Sequence, residues 1–447
     1  MLELLPLFFP VHPPLIYTQN TPAQNSEIVS DNQLVRPLPG ALNKIPVFNS
    51  NSPELVLGEG ILLSTFPSDN KIDETAHLNF PFEGRFDVFA HHVSKPPTED
   101  DKRTLFIGII AHNPTSEPVS IDILQGASYL SQPDAPFITL PSKVEGSNIF
   151  AGPGSRVMGD ILQGKRQDIF PPNITIPPGE STMLLNVPIP IHSLTPPLNG
   201  RSTYMRLYSS GKVYIASLAM YQDNEDNPPS LSQWENLLTN ASLSTPRDRV
   251  PTPPEATGQR IYGRVAGVSE GNMWKIDLTD SPSSQLLTIP NSGEAFSYGL
   301  STLVGGTLGT NQVQTAPLLV RYPDTAYSAH GNYGVQYSLT LPLINPTNET
   351  KTVSIALSTP VKQDAPGVNF LNPLPTQTFF RGLVQVQYRD DNNLPRLQYF
   401  HLVQKRGEKG ENLVTVTMPP ESQRLVSVDF LYPPDATPPQ ILTVSTQ

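Results

Sequence analysis

The sequence predicts an all-β protein of two duplicated, mainly antiparallel β-sandwich domains, with inserted loops and one or two short helices. Segments 105–137 and 335–370 share one motif order, namely a β-type run, Asn-Pro-Thr-x-Glu, Val-Ser-Ile and a Gln…Asp-Ala-Pro corner. Segments 174–190 and 416–434 repeat a second pattern around Pro-Pro. A shared motif order indicates one folding unit present twice. The 50 prolines among 447 residues disfavour long helices, because each interior proline costs about 3 kcal/mol.

Composition excludes several classes of protein. The net charge is −11, and the 29 basic residues are not clustered as a phosphate-tracking surface requires, so we expect no nucleic-acid partner. No apolar run approaches 18 residues, so we predict no transmembrane helix. The absence of cysteine removes thiol catalysis, thiolate metal sites and disulfides. It also fits a periplasmic or cell-envelope location, with a cytoplasmic location as the alternative.

The first 35 residues lack hydrophobic periodicity, and we expect them to stay outside the core. Two interpretations remain open. Residues 4–9 are apolar and 21–23 resemble a small-x-small cleavage site, as in a degenerate signal peptide. Against this, no Lys or Arg precedes Arg36 and four prolines interrupt the apolar segment, as in a flexible proline-rich arm.

The first predicted domain covers residues 36–244. Strands are expected at 60–66, at 76–93 and at 104–111, where the second segment alternates with the two-residue period of a half-buried strand. Asn-Pro-Thr at 113–115 and 345–347 predicts hairpin corners, because Asn caps turns and Pro presets φ. Segment 203–221 is predicted to be a hairpin that turns at 209–212.

Helix is expected to be scarce and to lie mostly near 157–163 and 231–240. Ser155 is the predicted cap of the first helix, which should end near Gly164. Ser230 and Gln233 predict a capping box for the second. The proline-rich segment 245–257 is the predicted linker, and 258–447 the second domain, in which 382–406 predicts a β-hairpin around Asp-Asp-Asn-Asn.

Candidate metal ligands are few, and we predict neither a metal site nor a cofactor. His91 and His92 are neighbours on a predicted strand and should point to opposite faces, so they cannot both ligate one ion with His112. The acidic segments 223–227 and 390–393 offer the hard oxygens that calcium prefers, but they match no calcium-loop pattern. Calcium binding there is left open.

Two loops are candidates for recognition. Gly-Pro-Gly-Ser-Arg at 152–156 precedes a predicted helix and ends in Arg156, so its backbone N–H groups could bind an anion; the alternative is a plain capped helix. The loop 330–334 presents His330, Asn332 and Tyr333 between glycines as binding residues. The alternative there is a tight turn with Tyr333 in the core. Neither Gly-x-Ser-x-Gly nor His-Glu-x-x-His nor a kinase motif occurs, and we predict no catalytic residue.

Several longer segments carry a resemblance to a known family. They are VRPLPGALNKIPVFNSNSPELV, AHLNFPFEGRFDVFAHH, SQPDAPF, AGPGSRVMGDIL, DTAYSAHGNYGVQYSL, FHLVQKRG and LYPPDATPPQILTV. The chain resembles the largely cyanobacterial family that carries domain of unknown function 3370, from about residue 35 to 444. The resemblance implies a bacterial, photosynthetic host and leans toward the cell envelope, but it supplies no activity and no site residues. IPPGES together with RLYSSGKVYIASLA is also similar to bacterial immunoglobulin-like surface modules.

The sequence therefore predicts a non-catalytic β-sandwich protein of the cell envelope or periplasm. Its expected role is structural or the binding of an unknown protein or glycan partner. The alternative is a hydrolase-type enzyme with an unrecognised polar site in the inserted loops. Convergence of His, Asp, Glu and Arg side chains from distant segments in one deep pocket would favour the enzyme.

Overall fold

The structure, a computed structural model, describes residues 26–447 and consists mainly of β-strands. Residues 1–25, which hold most of the predicted arm or signal segment, lie outside the described residues. Two α-helices, α1 (Pro153–Leu162) and α2 (Leu231–Asn240), and a 3-10 turn at Glu74–Ala76 accompany the strands. The strands are β1 Glu27–Asp31, β2 Leu34–Arg36, β3 Pro46–Ser50, β4 Leu55–Val56, β5 Gly60–Ser64, β6 Phe82–Ser94, β7 Thr104–His112, β8 Val119–Leu130, β9 Lys143–Glu145, β10 Asn173–Ile176, β11 Ser181–Ile189, β12 Asn199–Gln222, β13 Ala266–Glu270, β14 Met273–Asp277, β15 Leu287–Thr288, β16 Ala295–Leu300, β17 Ala316–Arg321, β18 Ser328–Ala329, β19 Gln336–Ile344, β20 Lys351–Ser358, β21 Val368–Asn372, β22 Thr378–Arg389, β23 Pro395–Lys405, β24 Asn412–Met418, β25 Gln423–Leu431 and β26 Gln440–Thr446.

The strands form four sheets, and the predicted all-β class is confirmed. A 12-stranded sheet runs β10-β8-β12-β6-β3-β13-β17-β18, with β4 on β6, and branches at β12 to β5, β7 and β11. A seven-stranded sheet runs β14-β19-β25-β22-β23-β9 with β15 on β19, and a five-stranded sheet runs β2-β16-β26-β20-β24. Strands β1 and β21 pair as a separate ribbon. The strand expected at 104–111 and the 382–406 hairpin, now β22 and β23, are confirmed.

The prediction that 203–221 is a hairpin is wrong, because this segment is part of the single strand β12. The chain runs through Ser209 to Lys212 as part of a single 24-residue strand. Residues up to Ser209 pair with β6 and β8, and residues from Tyr214 pair with β5 and β7. The pairing is irregular between Ser209 and Val213, where the Ser209 hydroxyl donates to the carbonyl of Gly211 at 2.6 Å. A bulge bends a strand without reversing it, so β12 passes from one layer to the other.

Each half of the chain has a hydrophobic core between two layers of strands. In the second half the core lies between the seven-stranded and five-stranded sheets, where Tyr337 stacks on Phe430 with ring centroids 5.3 Å apart. In the first half the core lies between the two branches that β12 joins. Its fully buried members include Phe48, Leu63, Phe86, Ile109, Ile121, Met205 and Ile215. Close packing of such side chains is the main favourable term for folding.

Helix α1 lies between the two halves. Its buried face presents Val157, Met158 and Ile161 to a cluster with members from both halves. The helix contacts β8 and β12 on one side and β22 and β25 on the other. The prediction that Ser155 caps it is wrong. The N-cap is Gly152 at φ 88°, and the Ser155 hydroxyl donates back to the carbonyl of Ala151 at 2.8 Å from inside the first turn.

Helix α2 forms as its sequence predicts. Ser230 and Gln233 make the reciprocal capping box, and Trp234, Leu237 and Leu238 are buried on one face. The Trp234 ring covers Gly108 on β7, where an added Cβ would lie 2.6 Å from the ring. The glycine is therefore required by the close approach of the helix to the sheet.

Strand pairing connects the two predicted domains more closely than a linker would. Strand β3 pairs with β13, β9 pairs with β23, and β2 pairs with β16. Strands β1 and β2 complete ladders with β21 and β16, but the side chains of Ile28, Val29 and Leu34 are exposed. The expectation that the first 35 residues stay outside the core remains a prediction. The division at 245–257 stays a prediction.

The first Asn-Pro-Thr corner is built around the fully buried Asn113. Its Nδ2 donates to the carbonyl oxygens of Glu117, Ile176 and Pro177 at 2.7, 3.0 and 3.1 Å. Its Oδ1 accepts from the backbone N–H and the hydroxyl of Thr115 at 2.9 and 2.7 Å. One side chain thus closes the turn and ties it to the strand that pairs with β8.

The second corner has the same set of bonds. Asn345, also fully buried, donates from Nδ2 to the carbonyl oxygens of Glu349, Met418 and Pro419 at 2.7, 2.9 and 3.1 Å. Its Oδ1 accepts from the backbone N–H and hydroxyl of Thr347 at 3.1 and 2.7 Å. The strands around the corners correspond as well, since β7 with β11 and β8 with β10 pair as β19 with β25 and β20 with β24 do. The prediction that the corners are hairpins is wrong, because β7 does not pair with β8 and β19 does not pair with β20; each turn carries the chain from one layer of strands to the other.

We expect Asn113→Ala and Asn345→Ala to destabilise the protein equally, each by about 3 kcal/mol. Each change removes the three bonds that the amide donates, and it leaves the carbonyl of one buried residue, Ile176 or Met418, without its donor. A buried group without a partner costs about 1–3 kcal/mol. Urea unfolding followed by circular dichroism measures the change, and Asn348→Ala, an exposed position beside the second corner, is the control at less than about 0.5 kcal/mol. A large loss at one corner with none at the other would contradict the equivalence.

Candidate functional site

A cleft of about 300 Å³ lies at the junction of the two halves. The end of β3 and the middle of β6 belong to the first half, and the loops around 330 and 434 to the second. Segments 246–249 and 261–265, in and after the predicted linker, complete its wall. The lining residues are Asn49, Asn51, Glu54, Leu55, His91, Pro246, Arg247, Asp248, Arg249, Ile261, Tyr262, Gly263, Arg264, Val265, Ala329, His330, Gly331, Asn332, Tyr333, Pro434 and Asp435.

Two asparagines and a histidine come from one face of the 12-stranded sheet. Asn49 and Asn51 are two residues apart on an extended chain, so they share a face. Asn49 pairs with Phe89 on β6, and His91 follows Phe89 by two residues. Asn49 is 3% and Asn51 6% exposed, and neither Oδ1 has a hydrogen-bond partner within residues 26–447. Buried amide oxygens without a donor are rare in folded proteins.

An ion-pair network crosses the cleft wall. Arg264 forms an ion pair with Glu54, and its Nη1 lies 3.5 Å from Asp248 Oδ1. His91 Nε2 lies 3.6 Å from the other oxygen of Glu54. Burial alone would raise the pKa of Glu54, but the hydrogen bond with His91 and the charge of Arg264 outweigh it and lower that pKa. Burial raises the pKa of Asp248 despite Arg264.

The pKa of Asp435 is shifted in the direction opposite to that of Glu54. Burial raises its pKa, and Arg381, whose Nη1 lies 3.9 Å from Oδ1, only partly offsets that effect. Its Oδ2 is buried and has no hydrogen-bond partner among the described residues. The cleft therefore holds an ionised carboxylate at Glu54 and a carboxyl at Asp435 that is more readily protonated.

The loop that the sequence singled out borders this cleft. Burial lowers the pKa of His330 to about 4, so its ring is neutral near pH 7, and the ring meets Tyr262 edge-on at 5.0 Å. In the described chain His330 Nδ1 has no hydrogen-bond partner. Asn332 is saturated by local bonds, since Oδ1 accepts from Ala316 N–H and Nδ2 donates to the carbonyl of Gln314. Of these two predicted residues, His330 alone has a group left for a ligand.

Tyr333 and Arg156 are engaged by the protein itself. The Tyr333 ring lies over Gly331, where a Cβ would be 2.6 Å away, and meets Phe89 edge-on at 6.3 Å. The ring is half-buried against both halves, which agrees with the alternative that Tyr333 packs inward. Arg156 lies away from the cleft, with its guanidinium 3.9 Å from the centre of the Tyr129 ring and donating to the carbonyl of Asp134.

The histidines considered as metal ligands have separate surroundings. His92 is buried, with Nε2 3.0 Å from the Ser50 hydroxyl and Nδ1 2.8 Å from the carbonyl of Pro53. His91 points to the opposite face, and His112 lies beside Ser181. Across residues 26–447 no three His, Cys, Asp or Glu side chains are grouped to hold a metal ion.

Sequence reasoning missed most of the cleft. The candidate residues of the sequence analysis do not include Asn49, Asn51, Glu54, Arg264 or Asp435, all of which line the cleft. One signal was present, because asparagines at positions i and i+2 beside the apolar Val47 and Phe48 place amides on one face of a buried strand.

A family model, described as a protein of unknown function (DUF3370), matches residues 33–446. The chain belongs to the DUF3370 family. The resemblance noted in the sequence is thereby confirmed, and the family covers nearly all the described residues, including every residue of the cleft.

Other comparisons add little to the family. No curated protein matches the chain. Among solved structures, the crystal structure of procruciferin, an 11S globulin from Brassica napus, aligns with 88% of this chain and 86% of its own at 9% identity. Its TM-score of 0.10 carries no argument about fold or function. Neither α1 nor α2 of the described chain has the length and apolarity needed to cross a membrane.

We expect His401→Leu to make the protein less sensitive to acid. Burial lowers the pKa of His401 to about 4, and the nearby Arg381 adds to the effect, whereas an unfolded chain has a histidine pKa near about 6.5. The unfolded state therefore binds more protons between these values, and this residue's contribution to stability falls as pH drops from about 6.5 to 4. Neither ring nitrogen has a hydrogen-bond partner in residues 26–447, so leucine removes this loss without breaking a bond.

Urea unfolding at pH 7, 6, 5 and 4.5 tests the histidine prediction. The free-energy difference between His401→Leu and wild type should grow in favour of the variant by up to about 3 kcal/mol as pH falls. Both proteins have the same carboxyl groups, so the effect of their protonation on the free energy of unfolding cancels in the difference. His92→Leu is the matched control, since it breaks two bonds and should destabilise at pH 7. A pH-independent difference for His401→Leu would contradict the prediction.

Proposed function

We propose that the protein is a non-catalytic binding protein of the bacterial cell envelope, built from two duplicated immunoglobulin-like β-sandwich units, with the cleft as its recognition site. The observation that carries the proposal is the set of buried polar atoms in the cleft that have no hydrogen-bond partner within residues 26–447. They are Asn49 Oδ1, Asn51 Oδ1, Asp435 Oδ2, His330 Nδ1 and Arg247 Nη1.

Unsatisfied buried groups are costly, and the cost has a natural explanation if a ligand supplies the missing bonds. A buried donor or acceptor without a partner costs about 1–3 kcal/mol. The five atoms come from four segments far apart in sequence, and all five residues line one cavity. A site formed at the junction of two units, with convergent polar groups, is the arrangement in which small-molecule sites commonly occur.

The duplication is supported by the two asparagine corners. Asn113 and Asn345 make the same five bonds with distances that agree to about 0.2 Å. The four strands around each corner pair in the same way. Such agreement extends the repeated motif order from sequence to hydrogen bonding, and favours one ancestral unit over two unrelated ones.

The envelope location is supported by composition and by family resemblance. The chain has no cysteine, which suits a compartment where a free thiol would be oxidised. Its largely cyanobacterial resemblance and its similarity to bacterial surface modules point in the same direction. A binding protein of the envelope would take its ligand from the periplasm or from the wall.

A hydrolase is the second candidate, and one observation favours it. The pKa of Glu54 is lowered while that of Asp435 is raised, in the same cleft. Two carboxyl groups whose pKa values are pushed apart can serve as base and acid. However, Glu54 is held by Arg264 and His91, so its carboxylate is less available as a base than a free one. We therefore place binding first.

Fractionation of the native host tests the location. We expect the protein in the periplasmic or outer-membrane fraction, with a mass below that of the full chain if residues near the start are removed. Mass spectrometry of the purified native protein gives the N-terminus. A protein that begins at Met1 and fractionates with a cytosolic marker would overturn the envelope proposal.

A thermal-shift screen tests recognition in the cleft. Sugars, amino acids, nucleosides and short peptides are added to the wild type, to Asn49→Ala and to Asn392→Ala, an exposed position outside the cleft. We expect a ligand that raises Tm of the wild type and the Asn392→Ala control and does not raise that of Asn49→Ala. A ligand that acts equally on all three proteins would place recognition elsewhere. Conversion of the ligand, lost in Asp435→Asn, would favour the hydrolase.

A further inference from the structure

We propose that the cleft binds a neutral saccharide, as a mono- or disaccharide or as the end of a glycan chain. The inference rests on the proposed function and names its ligand class. It follows from three properties of the lining: its balance of charge, its mixture of unpaired donors and acceptors, and its apolar patches.

The charges of the lining exclude ligands of either sign. Three acidic side chains, Glu54, Asp248 and Asp435, face three arginines, Arg247, Arg249 and Arg264. Most of these charges already have partners, since Arg264 pairs with Glu54 and Asp248, and Arg247 pairs with Asp324 outside the cleft at 2.7 Å. An anion would meet the carboxylates and a cation the guanidinium groups. A neutral ligand avoids both penalties, because like charges brought together in a poorly solvated site repel strongly.

The unpaired atoms require a ligand that both donates and accepts. Asn49 Oδ1, Asn51 Oδ1 and Asp435 Oδ2 need donors, whereas Arg247 Nη1 needs an acceptor. A hydroxyl group does both at once, with one donor and two acceptor sites. Adjacent hydroxyl groups on a sugar ring present several such groups on one rigid frame. Aliphatic or aromatic ligands would leave all four atoms unsatisfied.

The remaining lining suits the apolar faces of a sugar ring. Leu55, Ile261, Val265 and Pro434 lie beside the polar atoms. A pyranose carries its hydroxyl groups around the rim and C–H groups on its faces, so it can contact both kinds of surface. The volume of about 300 Å³ lies at the lower end for small-molecule sites, which favours one or two rings over a longer chain.

Calorimetric titration with charge-matched sugars tests the inference. Glucose, galactose, N-acetylglucosamine, maltose and cellobiose are the neutral probes, and glucuronate and glucosamine carry a negative and a positive charge on the same ring. We expect saturable binding of at least one neutral sugar, and at least tenfold weaker binding of both charged analogues. Asn51→Ala should weaken the neutral sugar at least tenfold, while Asn392→Ala leaves it unchanged.

Circular dichroism melting of each variant separates lost recognition from lost folding, and Asn49→Ala provides a second test if Asn51→Ala unfolds. Absence of saturable binding for every neutral sugar by the folded wild type would overturn the inference. So would charged analogues that bind as well as the neutral ones, or sugar binding that survives both asparagine changes. If sugars fail while another ligand class binds through Asn49 and Asn51, the saccharide inference falls and the proposed binding function stands.

Discussion

The buried carboxyl group of Asp87 is the constraint on which the arrangement of the two halves depends. Asp87 lies on β6 and is fully buried. Its Oδ2 is 2.7 Å from the Tyr204 hydroxyl, 2.6 Å from Asn272 Nδ2 and 3.8 Å from Arg206 Nε. Burial raises its pKa, although Arg206 and the two hydrogen bonds oppose the effect. Removing one partner of such a buried polar cluster typically costs about 3–5 kcal/mol, so the network holds its members in place.

The same network fixes the second half against the first. The Tyr204 hydroxyl also lies 3.0 Å from the carbonyl of Gly334, and Arg206 Nη2 donates to Gln336 Oε1 at 2.8 Å. Gly334 has φ 84°, and an added Cβ would lie 2.2 Å from the Tyr204 ring, so no other residue fits this position. The loop before Gly334, with His330, is thereby held opposite the asparagines of β3. The contact between Gly334 and Tyr204 thus positions the loop that forms one wall of the cleft.

Local patterns in the sequence predicted the elements whose signals are themselves local. The capping box of α2 and the strand expected at 104–111 depend on residues within a few positions of one another, and both form. The two Asn-Pro-Thr turns also form, but not as the predicted hairpins, because the pairing partners of the strands beside them come from distant segments. Strand β12 did not follow its local pattern, because Ser-Ser-Gly at 209–211 is typical of a turn, yet pairing with β5 and β7 continues the strand. The cleft could not be derived, since it needs the register of β3 against β6 and β13, which no short segment encodes.

The cleft lies apart from the two asparagine corners that stabilise the fold. The strands around Asn113 and Asn345 have the same bonds and enclose the two cores, so changes there act on folding. Asn49, His330 and Asp435 lie outside those strands. Their unsatisfied atoms cost stability, and the two cores with the Asp87 network offset that cost. Tyr333 is the cleft residue that also packs against the core of the second half. Substitutions of Asn49, His330 or Asp435 therefore leave the hydrogen bonds of both corners and of the Asp87 network in place.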